Sequence, residues 1–224
     1  MYGVCAISNG MKLNIEINRV VKFLILSDLF FIGGWSLVQP IFSLFVVGKI
    51  AGATLISVGL IAATYWLVKS VIQIPIANFL DKNDGEKDDF YALVLSLVLS
   101  GVAAFVFALS DRLWQVFLAQ SVYAVGMALY VPSWYGIFSR YLDQKRFSFD
   151  WTLDSTVIGL AAFVASGLSG VLAKFFGFSF VFFAVGILSL VSALIIITVP
   201  NLIIPGKVKE KIFLRDPSIP TINK

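Results

Sequence analysis

Histidine is missing from the chain altogether, and cysteine occurs once. Without an imidazole the usual proton shuttle of neutral pH and the commonest metal ligand are gone, which argues against serine-histidine, zinc-protease and histidine-relay mechanisms. A single cysteine forms no internal disulfide and no paired-cysteine metal motif, so no metal and no cofactor is expected. Charge is scarce too: 13% of the 224 residues are charged, while 59% are hydrophobic. A soluble domain has about 25% charged and about 45–50% apolar residues. This chain has too little polar surface to solvate a globule, and a lipid bilayer is its expected surroundings.

Long apolar runs are abundant. Crossing about 30 Å of hydrocarbon takes roughly 20 residues at about 1.5 Å each. Six stretches qualify, at residues 23–47, 55–80, 91–110, 113–138, 153–173 and 176–199. The expected fold is an all-α polytopic membrane protein, with six transmembrane helices in residues 23–200, a cytoplasmic segment 1–22 before them and a cytoplasmic tail 201–224 after them. The third, fourth and sixth stretches carry no charge, and the others carry Asp28, Lys69 and Asp154.

Lysine and arginine are retained on the cytoplasmic side of short loops. With the N-terminus inside, Lys12, Arg19, Lys22, Lys82, Lys87, Arg140, Lys145, Arg146, Lys207, Lys209, Lys211, Arg215 and Lys224 are cytoplasmic, against Lys49, Arg112 and Lys174 outside. Both termini are therefore expected in the cytoplasm, and the membrane is expected to be the plasma (inner) membrane. The net charge of +4 is a topology signal, and no nucleic-acid partner is expected. The opening MYGVCAISNG has neither a basic nor an apolar leader region, so no cleaved signal peptide is expected. Met11 is an alternative start that would leave Cys5 outside the protein.

The chain resembles itself at a shift of 92 residues, which pairs Gly34 with Gly126, Leu37 with Leu129 and Pro40 with Pro132. The same register lays Leu80-Asp-Lys82 on Leu172-Ala-Lys174 and Phe90-Tyr-Ala92 on Phe182-Phe-Ala184. Two three-helix repeats, about 23–110 and 113–200, are expected. An odd helix number turns the second copy upside down in the bilayer, as in inverted-repeat transporters.

Helical spacing places polar residues on single faces. The first stretch aligns Asp28, Ile32, Trp35 and Gln39, the second Tyr65, Lys69 and Gln73, and the fourth Gln120, Tyr123, Met127, Tyr130 and Trp134. A charge at the bilayer centre costs at least about 2.5–3.5 kcal/mol, so these faces must meet protein or water. Lys69 lies roughly 16 Å from the cytoplasmic end of its helix, too deep to snorkel comfortably. It suits an anionic solute and Asp28 suits a proton or sodium ion; alternatively the two form a fixed ion pair that orders the helices. Trp35 and Trp134 suit stacking on a solute or plain packing. Asp154 is expected at the interface, where a helix N-terminus favours it, and Trp114 and Trp151 are candidates for the aromatic belt. Ala162, Ser166 and Gly170, at steps of four, would let the fifth helix approach a neighbour closely. The third and sixth helices, without a polar stripe, read as lipid-facing supports.

The second stretch runs out through Ile76-Ala-Asn-Phe-Leu-Asp-Lys-Asn-Asp-Gly-Glu-Lys-Asp-Asp89. This resembles the cytoplasmic motif G-x-L-a-D-r-x-G-r-k of the major facilitator superfamily (MFS). Ala77 stands at its first glycine, Leu80 at its small residue, Asp81 at its acidic and Lys82 at its basic position. Gly85 is displaced by one, and Glu86-Lys87-Asp88-Asp89 replaces the closing basic run. Gly126, Pro132 and Arg140 resemble the family's fourth helix, and Gly167-Leu-Ser-Gly170 with Phe176-Gly177-Phe178 also resembles its members. The resemblance implies that the first, second, fourth and fifth helices border a central cavity. It also implies that Asp81 latches a cytoplasmic gate, with Lys82 and Arg140 as possible partners.

Family transporters have twelve helices in two six-helix units. The resemblance therefore implies a transporter of a small solute by alternating access, working as a homodimer or with a second six-helix half. The alternative is a non-transporting membrane subunit or an orphan half needing a separately encoded partner. An enzyme is not expected: there is no histidine, no Gly-x-Ser-x-Gly elbow and no clustered intramembrane aspartate pair.

Overall fold

The structure, a computed structural model, describes residues 18–82, 86–142 and 146–198. These form seven α-helices: α1 (Arg19–Trp35), α2 (Phe42–Lys49), α3 (Leu55–Lys82), α4 (Glu86–Leu109), α5 (Leu113–Tyr141), α6 (Phe147–Phe176) and α7 (Phe178–Ile197). Met11, Cys5, Gly85 and the expected tail 201–224 lie outside the described residues. Five helices, α3 to α7, are long and apolar enough to cross a membrane.

The remaining expected span, 23–47, is not one helix. After Trp35 the chain tightens into successive three-residue turns, with Leu37, Val38 and Ile41 donating to the carbonyls of Gly34, Trp35 and Val38, and α2 restarts at Phe42. Proline explains the break. Pro40 has no N–H to return to the Ser36 carbonyl four residues back, and its ring crowds that turn. The orphaned Ser36 carbonyl instead takes a hydrogen bond from the Ser166 hydroxyl of α6 at 3.3 Å. Pro132 and Pro75, by contrast, lie within α5 and α3, which continue past them.

Helix α5 packs against α3 and α4, α1 against α6 and α7, and α4 against α7. Small residues set the closest approaches. A methyl group at Gly126 would stand 2.7 Å from the Ser100 hydroxyl and 3.1 Å from the Ser96 carbonyl oxygen, and one at Gly34 would stand 3.2 Å from Leu188. The expected close-packing stripe on α6 is met in part: Ser166 reaches Ser36 and Ala161 meets Gly33, whereas a methyl group at Gly170 would touch nothing.

Helices α3 and α6 are inverted relative to soluble-protein helices. Helix α3 buries only Ile61 and Leu80, and α6 buries only Asp150, Asp154 and Ser169. Ile74, Phe79, Leu160 and Phe163 on the same helices are 62–77% exposed. Such a distribution is favourable when hydrocarbon surrounds the helices.

The expectation that the third and sixth spans are mere lipid-facing supports needs correction. Their counterparts α4 and α7 bury Leu93, Leu97, Phe107, Phe182 and Val185 in the main core, and only their outer faces expose Leu95, Val102, Ile187 and Leu194. An apolar sequence hides this difference, because lipid tails and neighbouring helices are equally apolar.

Polar clasps tie both ends of the bundle. At one end Lys49 Nζ donates to the Ala108 carbonyl at 3.2 Å and to the Ser179 hydroxyl at 2.9 Å, and lies 3.8 Å from Asp111. At the other, Arg140 pairs with buried Asp89, and Asn18 caps α1 through the Val20 N–H while donating to the Tyr141 carbonyl at 3.2 Å.

Candidate functional site

Two adjoining cavities lie along the seam between α1 and α5. The first, about 470 Å³, is lined by Trp35 and Gln39, by Tyr65 and Trp66 of α3, and by Gln120 and Tyr123. The second, about 370 Å³, is lined by Asp28, Tyr130 and Trp134 and by Trp151, Asp154 and Ser155 of α6. Ile32 and Met127 belong to both. The helical period explains why: Asp28, Ile32 and Trp35 share a face of α1, and the Gln120-to-Trp134 stripe shares a face of α5. Gln39 lies past the end of α1, in the turn before Pro40, yet still reaches the first cavity.

The first cavity is walled by stacked rings. Trp35 lies 3.8 Å from Tyr123 between ring centroids, with 21° between planes, and Tyr123 stacks in turn on Tyr65 at 5.5 Å. Lys69 Nζ stands 5.7 Å from the centre of the Tyr65 ring and 5.2 Å from that of Trp66, a cation-π arrangement. Among the described residues no salt bridge joins Lys69 to Asp28, so the ion pair that their spacing allowed is not formed. Gln73, one turn further along α3, is half-buried and outside both linings.

In the second cavity Asp28 is buried and accepts the hydroxyl of Tyr130. Asp154 is buried as well, and its Oδ1 has no hydrogen-bond partner. Expected at the interface by its place near a helix start, Asp154 faces into the bundle and lines the same cavity as Asp28. Trp151, a candidate for the aromatic belt, packs edge-on against Trp134 at 5.8 Å and Phe138 at 4.8 Å. Trp114, the other belt candidate, is 61% exposed. Among the described residues, the indole N–H groups of Trp35, Trp134 and Trp151 have no hydrogen-bond partner. Sequence reasoning missed Asp154 and Trp151 as cavity residues. The available signal was the one-turn spacing of Asp150 and Asp154, which marks a polar face on an otherwise apolar helix.

The described part of the gate motif, Ala77 to Lys82, closes α3. Ala77 is half-buried, and Asp81 and Lys82 are exposed at the end of α3. Arg140, which the resemblance offers as a possible partner of Asp81, pairs with Asp89. Asp89 belongs to the acidic run that departs from the motif.

The family model described as Major Facilitator Superfamily matches residues 24–217. No curated protein matches the chain.

Proposed function

Since the chain belongs to the Major Facilitator Superfamily, a family of membrane transporters, we propose that it carries a small solute across the bilayer by alternating access, as one six-helix unit of a two-unit assembly. One observation carries this reading: the polar and aromatic stripes of α1 and α5 meet along two cavities, joined by Tyr65 of α3 in the first and Asp154 of α6 in the second, inside a bundle whose outer faces are apolar. Gln39 is exposed and Lys69 and Gln73 are half-exposed. In a membrane such groups require water, solute or a second unit. The second unit is a copy of this chain or a separately encoded half. In this reading α1 and α2 together make the first of six spans, both termini are cytoplasmic, and the membrane is the plasma (inner) membrane.

The unit is built from two inverted repeats, about 23–110 and 113–200. Contacts related by the 92-residue shift support this. Gly34 abuts Leu188 as Gly126 abuts Ser96, and both glycines and both partners are 92 apart. The apolar groove holding Leu129, Ile72, Ile76 and Leu80 is matched by one holding Leu37, Val164, Leu168 and Leu172, each displaced by the same 92 residues.

The solute pathway comprises Asp28, Trp35, Gln39, Tyr65, Lys69, Gln73, Gln120, Tyr123, Tyr130 and Trp134. Asp81 and Lys82 form the gate against the second unit, a reading that their exposure at the end of α3 supports. Arg140 instead staples α4 to α5, and with the Lys49 clasp favours rocking of the unit as a rigid body. The test is the mass of the purified protein in nanodiscs together with uptake of labelled solutes into proteoliposomes. Two copies, or a co-purified half, and uptake lowered by Lys69→Ala and Gln120→Ala are expected. A stable, active monomer would overturn the two-unit assembly, and unaltered uptake in both variants would overturn the pathway.

A further inference from the structure

We propose that the cavity between Asp28 and Asp154 binds an organic cation, with an alkylammonium group between the two carboxylates and its apolar body against Trp134 and Trp151. This deepens the transport reading and rests on it, because it names the substrate class of the same site.

The first observation is an unmatched acceptor set. Asp28 and Asp154 are 3% and 6% exposed and line one cavity of about 370 Å³. Asp28 is held by a neutral hydroxyl, and among the described residues Asp154 Oδ1 has no partner and neither aspartate takes part in a salt bridge. Two ionised carboxylates so far from water are strongly unfavourable unless a cation joins them or a proton neutralises them.

The second observation is the wall. Trp134, Tyr135 and Trp151 surround the same space, and Trp134, 4% exposed, has an indole N–H without a partner. Aromatic faces attract quaternary and alkylammonium groups, most strongly where water is excluded. The free indole N–H adds a donor for an ether, hydroxyl or carbonyl oxygen on the ligand body.

The same features disfavour other occupants. Calcium and magnesium seek six or more oxygen ligands, and no group of three or more His, Cys, Asp or Glu that could hold a metal ion gathers among the described residues. An anion would meet two carboxylates, while Lys69 is held over Tyr65 and Trp66 beside the other cavity.

The experiment uses the full chain in nanodiscs and measures equilibrium binding of benzyltrimethylammonium, whose charge is independent of pH. Benzyl alcohol and benzenesulfonate serve as neutral and anionic controls. Saturable binding of the cation alone is expected, weakened at least tenfold by Asp154→Asn or Asp28→Asn and retained in Asp154→Glu. Equal binding of all three probes would overturn the proposal even if no variant folds. So would undiminished binding in Asp154→Asn, or proton uptake on acidification with no cation binding. Failure here alongside Lys69-dependent uptake of another solute removes the substrate class and leaves the transport reading intact. Cation binding without any uptake does the reverse.

Discussion

Arg140, in the last turn of α5, pairs with Asp89 near the start of α4, and Asp81 at the end of α3 stays exposed. A carboxylate described by the sequence only as a departure from a motif thus becomes the anchor of a helix pair. Arg140→Gln should lower stability by about 1–3 kcal/mol, because it leaves buried Asp89 unpaired. The double variant Arg140→Gln/Asp89→Asn should lose less than the sum of the two single changes. Asp81→Asn should stay within about 0.5 kcal/mol of the parent. Thermal unfolding in one detergent checks all three, and a large loss in Asp81→Asn would mean that Asp81 is structurally engaged.

Tyr130 supplies the hydrogen bond held by Asp28. Tyr130→Phe should destabilise by about 1–3 kcal/mol, since it strips a buried acceptor of its partner. In the Asp28→Leu background the same change should cost much less. Equal losses in both backgrounds would show that the hydroxyl acts elsewhere.

Gly126 sits against backbone as well as side chain of α4. Gly126→Ala should therefore cost about 1–3 kcal/mol through forced separation of α4 and α5. Gly170→Ala, where the added methyl group meets nothing, should be neutral or slightly stabilising. Melting temperatures of the two variants, measured side by side, give the comparison.

Lys49 bridges α2 to the end of α4 and the start of α7. Lys49→Met should cost about 1 kcal/mol by removing two hydrogen bonds. Asp111→Asn should cost less than about 0.5 kcal/mol, because the Asp111 side chain is 78% exposed and its ion pair is long. Faster hydrogen exchange at the ends of α2 and α7 in Lys49→Met, with α5 unchanged, would locate the loss.

Membrane residence, the positions of five long spans and the α1 and α5 stripes that line the cavities were legible in the sequence. Each depends on a local quantity: the hydropathy of a window or the 3.6-residue period of a helix. Pro40 was visible as half of a Gly/Pro pattern, but the same pattern around Pro132 leaves α5 continuous. What separates them is tertiary: near Pro40 a serine from α6 takes up the freed carbonyl. The partner of Arg140, the inward turn of Asp154 and the deep packing of α4 and α7 were likewise decided only by the assembled bundle. A uniformly apolar helix carries no mark of whether lipid or protein covers it, and the partner of a charged side chain depends on how helices far apart in sequence rotate against one another.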